Sequence, residues 1–340
     1  MSKKIILHVG THKTGTTTLQ EYIRDNAANF SANGLYYAPL EEVFSDRVRA
    51  HHHFAHLLAQ DKIPDKDIDL LKAFFDLIQQ RTEEGQTTFI SSEAFYRHTV
   101  KGNSNFLHGR ELYLNRLAQI LDGFNVSPVV VLRRPEDYIR SYYQEAILQA
   151  YKPNERVSSF VSFRCKEMSR SLRYGSNVDL LSKIFPKIKV MLYEDLVSDG
   201  ELCRSFYGAL GFSVDHAPLV QSARTSLSPI QSKIKLFINS IEYPRKRKFI
   251  YLKWIRSNAV TKLIEDFYGT QEFDFWESQA ALDDFRKDIS PELEMIRKKY
   301  FPDRQFLFSN ISKVKINPVP ELDDRFKSAL LQLAFQSVVT

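Results

Sequence analysis

The sequence predicts an α/β fold, a three-layer domain with a parallel sheet of about four to five strands, followed by a helical C-terminal extension. Short apolar runs, which are typical of strands buried on both faces, alternate with longer amphipathic segments. These runs lie at residues 5–9, 87–90, 127–132 and 188–193. Consecutive strand–helix units of this kind require helices on both faces of a parallel sheet.

The helical segments follow from apolar spacing and from turn signals. Helices are expected to begin at Thr16 or Thr17, at Pro135 and at Pro229, and to cover residues 67–81, 110–121, 156–173, 174–185 and 325–335. Beyond residue 212 strand signals give way to helical ones. For the 340 residues we therefore predict an α/β core over residues 1–215 and a helical region over residues 216–340 packed on it, together one structural unit.

The loop after the first strand, GTHKTGTTT at residues 10–18, contains two glycines, one lysine and five threonines. A strand, a tight loop and a helix start in this order predict an anion site, because the first N–H groups of a helix lack internal partners. Gly10 and Gly15 let the backbone approach a phosphate, and Lys13 adds a full charge. The alternative is an ordinary turn with a hydroxyl N-cap, for which one hydroxyl and one glycine suffice.

This loop differs from a Walker A loop, because Lys13 precedes Gly15 instead of following it. It resembles the 5′-phosphosulfate loop, a [PR]KxGTT-like pattern, of sulfotransferases that use 3′-phosphoadenosine 5′-phosphosulfate (PAPS). The resemblance implies a P-loop-like fold, PAPS as cofactor and adenosine 3′,5′-bisphosphate as product. It implies that Lys13 contacts the 5′-phosphate and its bridging oxygen. The remaining cofactor-binding residues implied for this loop are Thr14, Gly15, Thr16 and Thr17.

A second motif, RRPEDYIRSYYQEAI, follows the strand at residues 127–132. A well-started helix with two exposed arginines would give the same pattern, since Pro135 suits the first helical position. The stretch also resembles the family's 3′-phosphate motif, strand-LRxPxxxxxSxY. That resemblance implies that Arg133 and Ser141 bind the 3′-phosphate of PAPS. A further 3′-phosphate segment of many cytosolic members, RKG, has a weak counterpart at residues 286–288.

Glu93 is the candidate general base. It follows the strand at residues 87–90, and ligands of open α/β sheets bind at the carboxyl ends of strands. Its alternative role is a carboxylate stabilised by the start of a helix. In several sulfotransferases that act on carbohydrates, a glutamate after a comparable strand is the base. The resemblance therefore implies Glu93 and Lys13 as the catalytic residues.

The histidines of HHHFAH, residues 51–56, offer another base or a metal ligand pair. His52 and His56 stand at i and i+4, a spacing that can bind a metal. With no acidic third ligand in view, ordinary helical histidines near a substrate cleft are the alternative. We expect no metal requirement, because a sulfuryl group carries less charge than a γ-phosphoryl group.

Composition excludes several classes of protein. The net charge of +6 fits an anionic ligand but is too diffuse to imply nucleic acid. The two cysteines, Cys165 and Cys203, offer neither a disulfide framework nor metal spacing. No apolar run is long enough for a signal-peptide core or a membrane span, so a soluble cytoplasmic protein is expected. The basic segment 243–256 fits a solvated face, an anionic glycan or peripheral membrane contact.

We therefore predict a sulfotransferase that moves the sulfuryl group of PAPS to a hydroxyl, or less often an amine, of a carbohydrate or glycolipid. One alternative is a P-loop-type nucleotide-dependent kinase, which a GK[ST] loop and a magnesium-binding carboxylate would mark. The other is a catalytically inactive membrane-surface or adaptor protein that retains the fold. The sequence leaves the acceptor and the oligomeric state open.

Overall fold

The computed structural model describes residues 2–38, 43, 51–103, 105–149, 155–212, 226–241, 248–309 and 315–339. The strands are β1 (Lys4–His8), β2 (Leu35–Tyr37), β3 (Thr87–Ser91), β4 (Asn125–Leu132) and β5 (Lys189–Leu192). They form one five-stranded sheet in the order β2-β3-β1-β4-β5, and every pair is parallel. The predicted α/β class is confirmed, and the segment expected only as an extended piece is the edge strand β2.

Helices follow the strands and continue through the C-terminal half of the chain. The first nine are α1 (Thr16–Asp25), α2 (Ala27–Ala32), α3 (His52–Leu58), α4 (Asp65–Arg81), α5 (Ala94–Arg97), α6 (Phe106–Ile120), α7 (Pro135–Gln149), α8 (Glu155–Ser158) and α9 (Phe160–Met168). The others are α10 (Tyr174–Ile184), α11 (Tyr193–Leu196), α12 (Leu202–Ala209), α13 (Pro229–Ser240), α14 (Lys248–Ile255), α15 (Asn258–Tyr268), α16 (Gln279–Tyr300) and α17 (Asp324–Val339).

The central strand β1 is buried on both faces, as its continuous apolar run predicts. Ile5 and Leu7 point to one face and Ile6 to the other, and all three are buried. On the Ile6 side, apolar residues of α1 and α12 complete the core, among them Leu19 and Phe206. Because β3 and β4 flank β1 in parallel, the residues that follow these three strands emerge at one edge of the sheet.

Two helix boundaries differ from the predictions for local reasons. The helix predicted at residues 110–121 begins at Phe106, because the side chain of Asn105 accepts a hydrogen bond from His108 N–H and caps it. The helix predicted at residues 156–173 is divided into α8 and α9 at Ser159. The hydroxyl of Ser159 accepts from Ser162 N–H at 3.4 Å, and such side-chain bonds compete with helix continuation.

The chain forms two compact units. The first contains the sheet and covers residues 1–135, 168–223 and 291–309; the second covers residues 136–167, 224–290 and 310–340. The core of the second unit includes Ile234 of α13 and Phe326 of α17. The predicted boundary between residues 215 and 216 lies outside the described residues. Among the helices of the described ranges, none combines the length and apolarity needed to cross a membrane.

Candidate functional site

The loop between β1 and α1 is fastened to the neighbouring strand β4. Val9 N–H donates to the Val129 carbonyl at 2.8 Å, and Thr11 Oγ1 donates to the Val131 carbonyl at 2.9 Å. Thr14 Oγ1 in turn donates to the Thr11 carbonyl at 2.7 Å. These bonds hold the loop at the carboxyl edge of the sheet before any ligand binds.

Lys13 and Gly15 adopt left-handed backbone conformations. Their φ angles are 67° and 73°, and Lys13 is the one non-glycine residue with positive φ in the described part of the chain. A non-glycine residue in this region costs about 1 to 3 kcal/mol and persists where the surroundings enforce it, often at ligand sites. At Gly15 an added Cβ would overlap the side chain of Leu202. The sharp turn therefore requires glycine at position 15 and tolerates strain at position 13.

The start of α1 offers an anion site. Gly15 occupies the N-cap position, no side chain caps the helix, and its first turn contains no acidic residue. Its first N–H groups, at Thr16, Thr17 and Thr18, therefore lack both a capping oxygen and a neighbouring carboxylate. The positive end of the helix dipole lies in the same place, next to Lys13, so that the loop favours an anion.

Arg133, directly after β4, lies against this loop. Its Nη1 donates to the Lys13 carbonyl at 2.8 Å, and its guanidinium lies over the Tyr193 ring, 5.0 Å from the centroid. The Tyr174 hydroxyl donates to the Arg133 carbonyl at 2.9 Å. The Arg133 Nε is buried and has no hydrogen-bond partner among the described residues. A buried donor of this kind is unfavourable until an acceptor reaches it, and an oxyanion would supply one.

Two further residues considered for the 3′-phosphate, Ser141 and Arg286, belong to the second unit. Ser141 lies on α7 and is partly buried, and its pairing with Arg133 stays a prediction. Arg286, in the weak counterpart of the RKG segment, donates Nε and Nη2 to Glu136 Oε1 at 3.0 and 2.8 Å. That guanidinium is committed to a nearly buried carboxylate of its own unit.

Glu93 lies directly before α5 and faces His52. The hydroxyl of Ser92 accepts from Ala94 N–H at 3.2 Å and lies 2.8 Å from His52 Nδ1. The Ser92 hydroxyl can donate to His52 Nδ1 or accept from it, according to the tautomer of the imidazole. His52 Nε2 lies 3.3 Å from Glu93 Oε2. Glu93 Oε2 thus faces His52, but it is buried and makes no hydrogen bond within the described residues.

The other histidines near β3 differ in role. His51 is fully buried; its Nδ1 accepts from Ser91 N–H at 3.1 Å and its Nε2 donates to the Ala38 carbonyl at 2.8 Å. Burial lowers the pKa of His51 to about 4, so it links backbone segments and is a poor base. His56 lies 2.6 Å from His98, Nδ1 to Nε2. No group of three or more potential metal ligands occurs in the described ranges.

The buried His51 gives a pH-dependent stability. Its pKa is depressed in the fold, from 6.5 to about 4, so the unfolded chain binds the extra proton between these values and the free energy of unfolding falls as pH drops through that window. The full contribution is about 3 kcal/mol. His51→Gln can keep the bonds to Ser91 and Ala38 but cannot take up the proton. In urea titrations, the free energy of unfolding of this variant should fall less steeply with decreasing pH, by about 1.4 kcal/mol per pH unit. Unchanged slopes would contradict this, and the exposed His108→Gln is the control.

Two residues at this edge were not singled out from the sequence. Tyr193 follows β5 and supports the Arg133 guanidinium; its position at a strand end was the available signal. His12 lies within the loop itself, and burial, Arg97 and His52 lower its pKa well below the ordinary value. His12 stands between Gly10 and Lys13 in the motif, but nothing in the sequence indicated which side chains it faces.

No family model matches this chain, and no curated protein matches it. Among solved structures, it is similar to the crystal structure of retinol dehydratase in complex with androsterone and inactive cofactor PAP. The identity is 14%, the match covers 87% of this chain and 81% of that chain, and the TM-score is 0.29. An identity and a TM-score of this size leave the family of the chain open, so the functional argument depends on the site.

Proposed function

We propose that the protein is a sulfotransferase that moves the sulfuryl group of PAPS to a hydroxyl of a carbohydrate or glycolipid. The observation that carries the proposal is the pairing of two cationic positions at one loop. Lys13 adjoins the uncapped start of α1, and the Arg133 guanidinium is bonded to the same loop. A nucleotide with a 5′-phosphosulfate and a separate 3′-phosphate has an anion for each position.

The groups of the loop are expected to make different contacts with the nucleotide. The first N–H groups of α1 and the hydroxyl of Thr17, a partly exposed residue, are suited to the 5′-phosphosulfate. Thr14 has already committed its hydroxyl to the Thr11 carbonyl, so we expect it to contribute backbone N–H rather than its side chain. Bound PAPS supplies an activated sulfuryl group. Lys13 stabilises the negative charge that develops on the departing phosphate.

The proposed base is Glu93. Its Oε2 faces His52 and makes no hydrogen bond within the described residues, and the carboxylate would accept the proton of the attacking hydroxyl. The contacts of His52 with Ser92 and Glu93 orient the carboxylate without the need for His52 itself to take the proton. Catalysis would then depend on positioning and preorganised charge. The carbohydrate or glycolipid acceptor and the cytoplasmic location belong to the same proposal.

The 3′-phosphate tests the assignment of PAPS. Charge-assisted hydrogen bonds contribute about 1.5 to 3 kcal/mol each. Arg133→Ala should therefore weaken the binding of adenosine 3′,5′-bisphosphate by about 10- to 100-fold. It should weaken the binding of 5′-AMP much less, since that nucleotide lacks the 3′-phosphate. Calorimetry with both nucleotides on the wild-type and Arg133→Ala proteins gives the interaction free energy between Arg133 and the 3′-phosphate.

Two controls sharpen this measurement. Tyr193→Leu removes the ring under the guanidinium and keeps the charge, so it should have a smaller effect on the bisphosphate. Arg133 also bonds to the Lys13 carbonyl. If its removal disordered the loop as a whole, the binding of both nucleotides would weaken equally. Equal affinity of the wild-type protein for 5′-AMP and the bisphosphate would reject PAPS as the cofactor.

A metal test separates the proposal from a kinase. The loop lacks the lysine and hydroxyl order of a magnesium-dependent Walker A loop, so sulfate transfer should proceed without added divalent cations. The measurement is turnover of PAPS in the presence of EDTA, with and without restored magnesium. Activity that EDTA abolishes and magnesium restores would favour the kinase-like alternative, and no turnover with any acceptor would favour the inactive protein.

A further inference from the structure

The second unit contains a cavity of about 340 Å³. None of its lining residues is among those proposed to bind PAPS or to act in sulfate transfer. Ligand pockets of proteins commonly have volumes of about 300 to 1,000 Å³, so the cavity can hold one small organic molecule. Its charged lining residues are Lys233, Glu277 and Glu321, and both glutamates are exposed. The charges therefore lie toward solvent, at the mouth of the cavity.

The floor of the cavity is aromatic. The rings of Phe160 and Phe275 are stacked, with centroids 5.5 Å apart, and the Tyr143 ring packs edge-on against that of Phe275 at 5.2 Å. All three residues are buried. The Tyr143 hydroxyl donates to the Val157 carbonyl at 3.0 Å, so its hydrogen is already used within the protein. The floor therefore favours an apolar group.

Backbone hydrogen bonds hold one wall of the cavity in place. Asp274 N–H donates to the Asn317 carbonyl at 2.7 Å, and Val319 N–H donates to the Asp274 carbonyl at 2.8 Å. The Asp274 carboxylate in turn pairs with Arg140 of α7 at 2.9 Å. These contacts connect the segment that carries Val319, a lining residue, to the segment that carries Phe275. The wall is therefore formed before a ligand enters, which reduces the entropic cost of binding.

Glu277 is committed to a partner of its own. Its Oε2 lies 2.9 Å from Nη1 of Arg164, whose side chain is largely buried. The Arg164 guanidinium also lies over the Trp276 ring, 4.9 Å from the centroid. Because this arginine is held by both a carboxylate and an aromatic ring, the Glu277 charge is neutralised within the protein and is a poor partner for a ligand cation.

Lys233 is held less firmly. It belongs to α13 and forms an ion pair with Glu321; the exposed fraction is 26% for the Lys233 side chain and 87% for that of Glu321. Ion pairs with so exposed a partner contribute little to stability, because water and salt screen them. A ligand carboxylate with an apolar body in the cavity can therefore take the place of Glu321 on the Lys233 ammonium.

We propose that this cavity binds a small amphipathic carboxylate, with its apolar body on the aromatic floor and its carboxylate on Lys233. A neutral ligand of the same shape would gain the burial without the ion pair. An ammonium ligand would have to displace Lys233 from Glu321 and would then lie beside a second cation. The site goes beyond the proposed sulfate transfer and does not depend on it.

The test is calorimetry on the full-length protein near pH 7.5 with octanoate, octan-1-ol and octylammonium, which share one alkyl chain. Octanoate should bind about 10-fold more tightly than octan-1-ol, because it alone can pair with Lys233. Octylammonium should bind most weakly of the three. Hexanoate should bind about 10-fold more weakly than octanoate, because two fewer methylene groups are buried.

Two substitutions at the ion pair should act in opposite directions. Lys233→Gln should lower the affinity for octanoate to about that for octan-1-ol. Glu321→Gln should raise the affinity for octanoate about 3-fold, because it removes the carboxylate that competes for Lys233. Lys327→Gln is the matched control, since Lys327 also pairs with an exposed carboxylate of the second unit, that of Asp324 at 3.0 Å. It should leave both affinities unchanged.

A third substitution tests the cavity itself. Val319→Trp places a large side chain at the wall and should weaken octanoate and octan-1-ol alike. Circular dichroism and the urea midpoint of each variant show whether it is folded.

Several results would overturn the proposal. They are no measurable binding of octanoate at millimolar concentration, equal or tighter binding of octan-1-ol or octylammonium, and an octanoate affinity that Lys233→Gln leaves unchanged. A decrease in octanoate affinity in Glu321→Gln would also contradict it, because that result would mean that the intact ion pair, rather than Lys233 alone, forms the site.

Discussion

Glu93→Gln is expected to lower kcat by about 10²- to 10⁴-fold, the usual contribution of a general base. Glutamine has nearly the shape of glutamate, but its side chain cannot accept the proton of the attacking hydroxyl. The substituted side chain follows β3 and is not among the groups proposed to bind phosphosulfate, which lie at the start of α1. Nucleotide binding should therefore change little, and steady-state kinetics with calorimetry on the same variant will separate the two quantities.

The contact between Glu93 and His52 provides the comparison for this experiment. If His52 positions the carboxylate, His52→Gln should reduce kcat less than Glu93→Gln does, and Ser92→Ala should act in the same direction, because it removes the hydroxyl that holds His52 Nδ1. Near-normal kcat in Glu93→Gln, together with a large loss in His52→Gln, would make His52 the base. If both variants remain active, His53 is the next candidate.

Lys13→Ala is expected to lower kcat by about 10²- to 10³-fold, the usual cost of removing one preorganised charge contact. The ammonium group is needed most when the leaving phosphate gains charge, so binding of adenosine 3′,5′-bisphosphate should weaken less than kcat falls. Single-turnover kinetics and calorimetry measure the two effects. Equal losses in binding and kcat/KM with kcat intact would show that Lys13 anchors the nucleotide without acting in the transition state.

The backbone of Lys13 calls for a second variant. Its φ of 67° is unfavourable for alanine as well as for lysine, whereas glycine adopts it freely. Lys13→Gly therefore removes the charge and relieves the strain at once. Similar losses of kcat in Lys13→Ala and Lys13→Gly would assign the effect to the ammonium group. A much smaller loss in Lys13→Gly would instead assign most of it to the loop conformation.

Local sequence determined the elements of this protein where pattern and turn chemistry agree. The apolar run before Gly10 predicted a strand buried on both faces, and spacing from Leu19 onward predicted a helix start at Thr16 or Thr17; the helix begins at Thr16. The helix start predicted at Ser228-Pro229 is a complete capping box. Such a motif can be predicted from sequence because its hydrogen bonds connect residues only three positions apart. The predicted helix boundaries were wrong where a side-chain oxygen accepts a hydrogen bond from a backbone N–H three residues later, as at Asn105 and Ser159.

The tertiary structure decided which side chains meet at the carboxyl edge of the sheet. The sequence shows that Glu93 and Arg133 follow strands, and the parallel order β3-β1-β4 is what sets both strand ends beside the loop. The contact of Arg133 with the Lys13 carbonyl and that of His56 with His98 join residues far apart in the chain. No local pattern encodes such contacts, because they arise from strand order and helix packing rather than from the spacing of neighbouring residues.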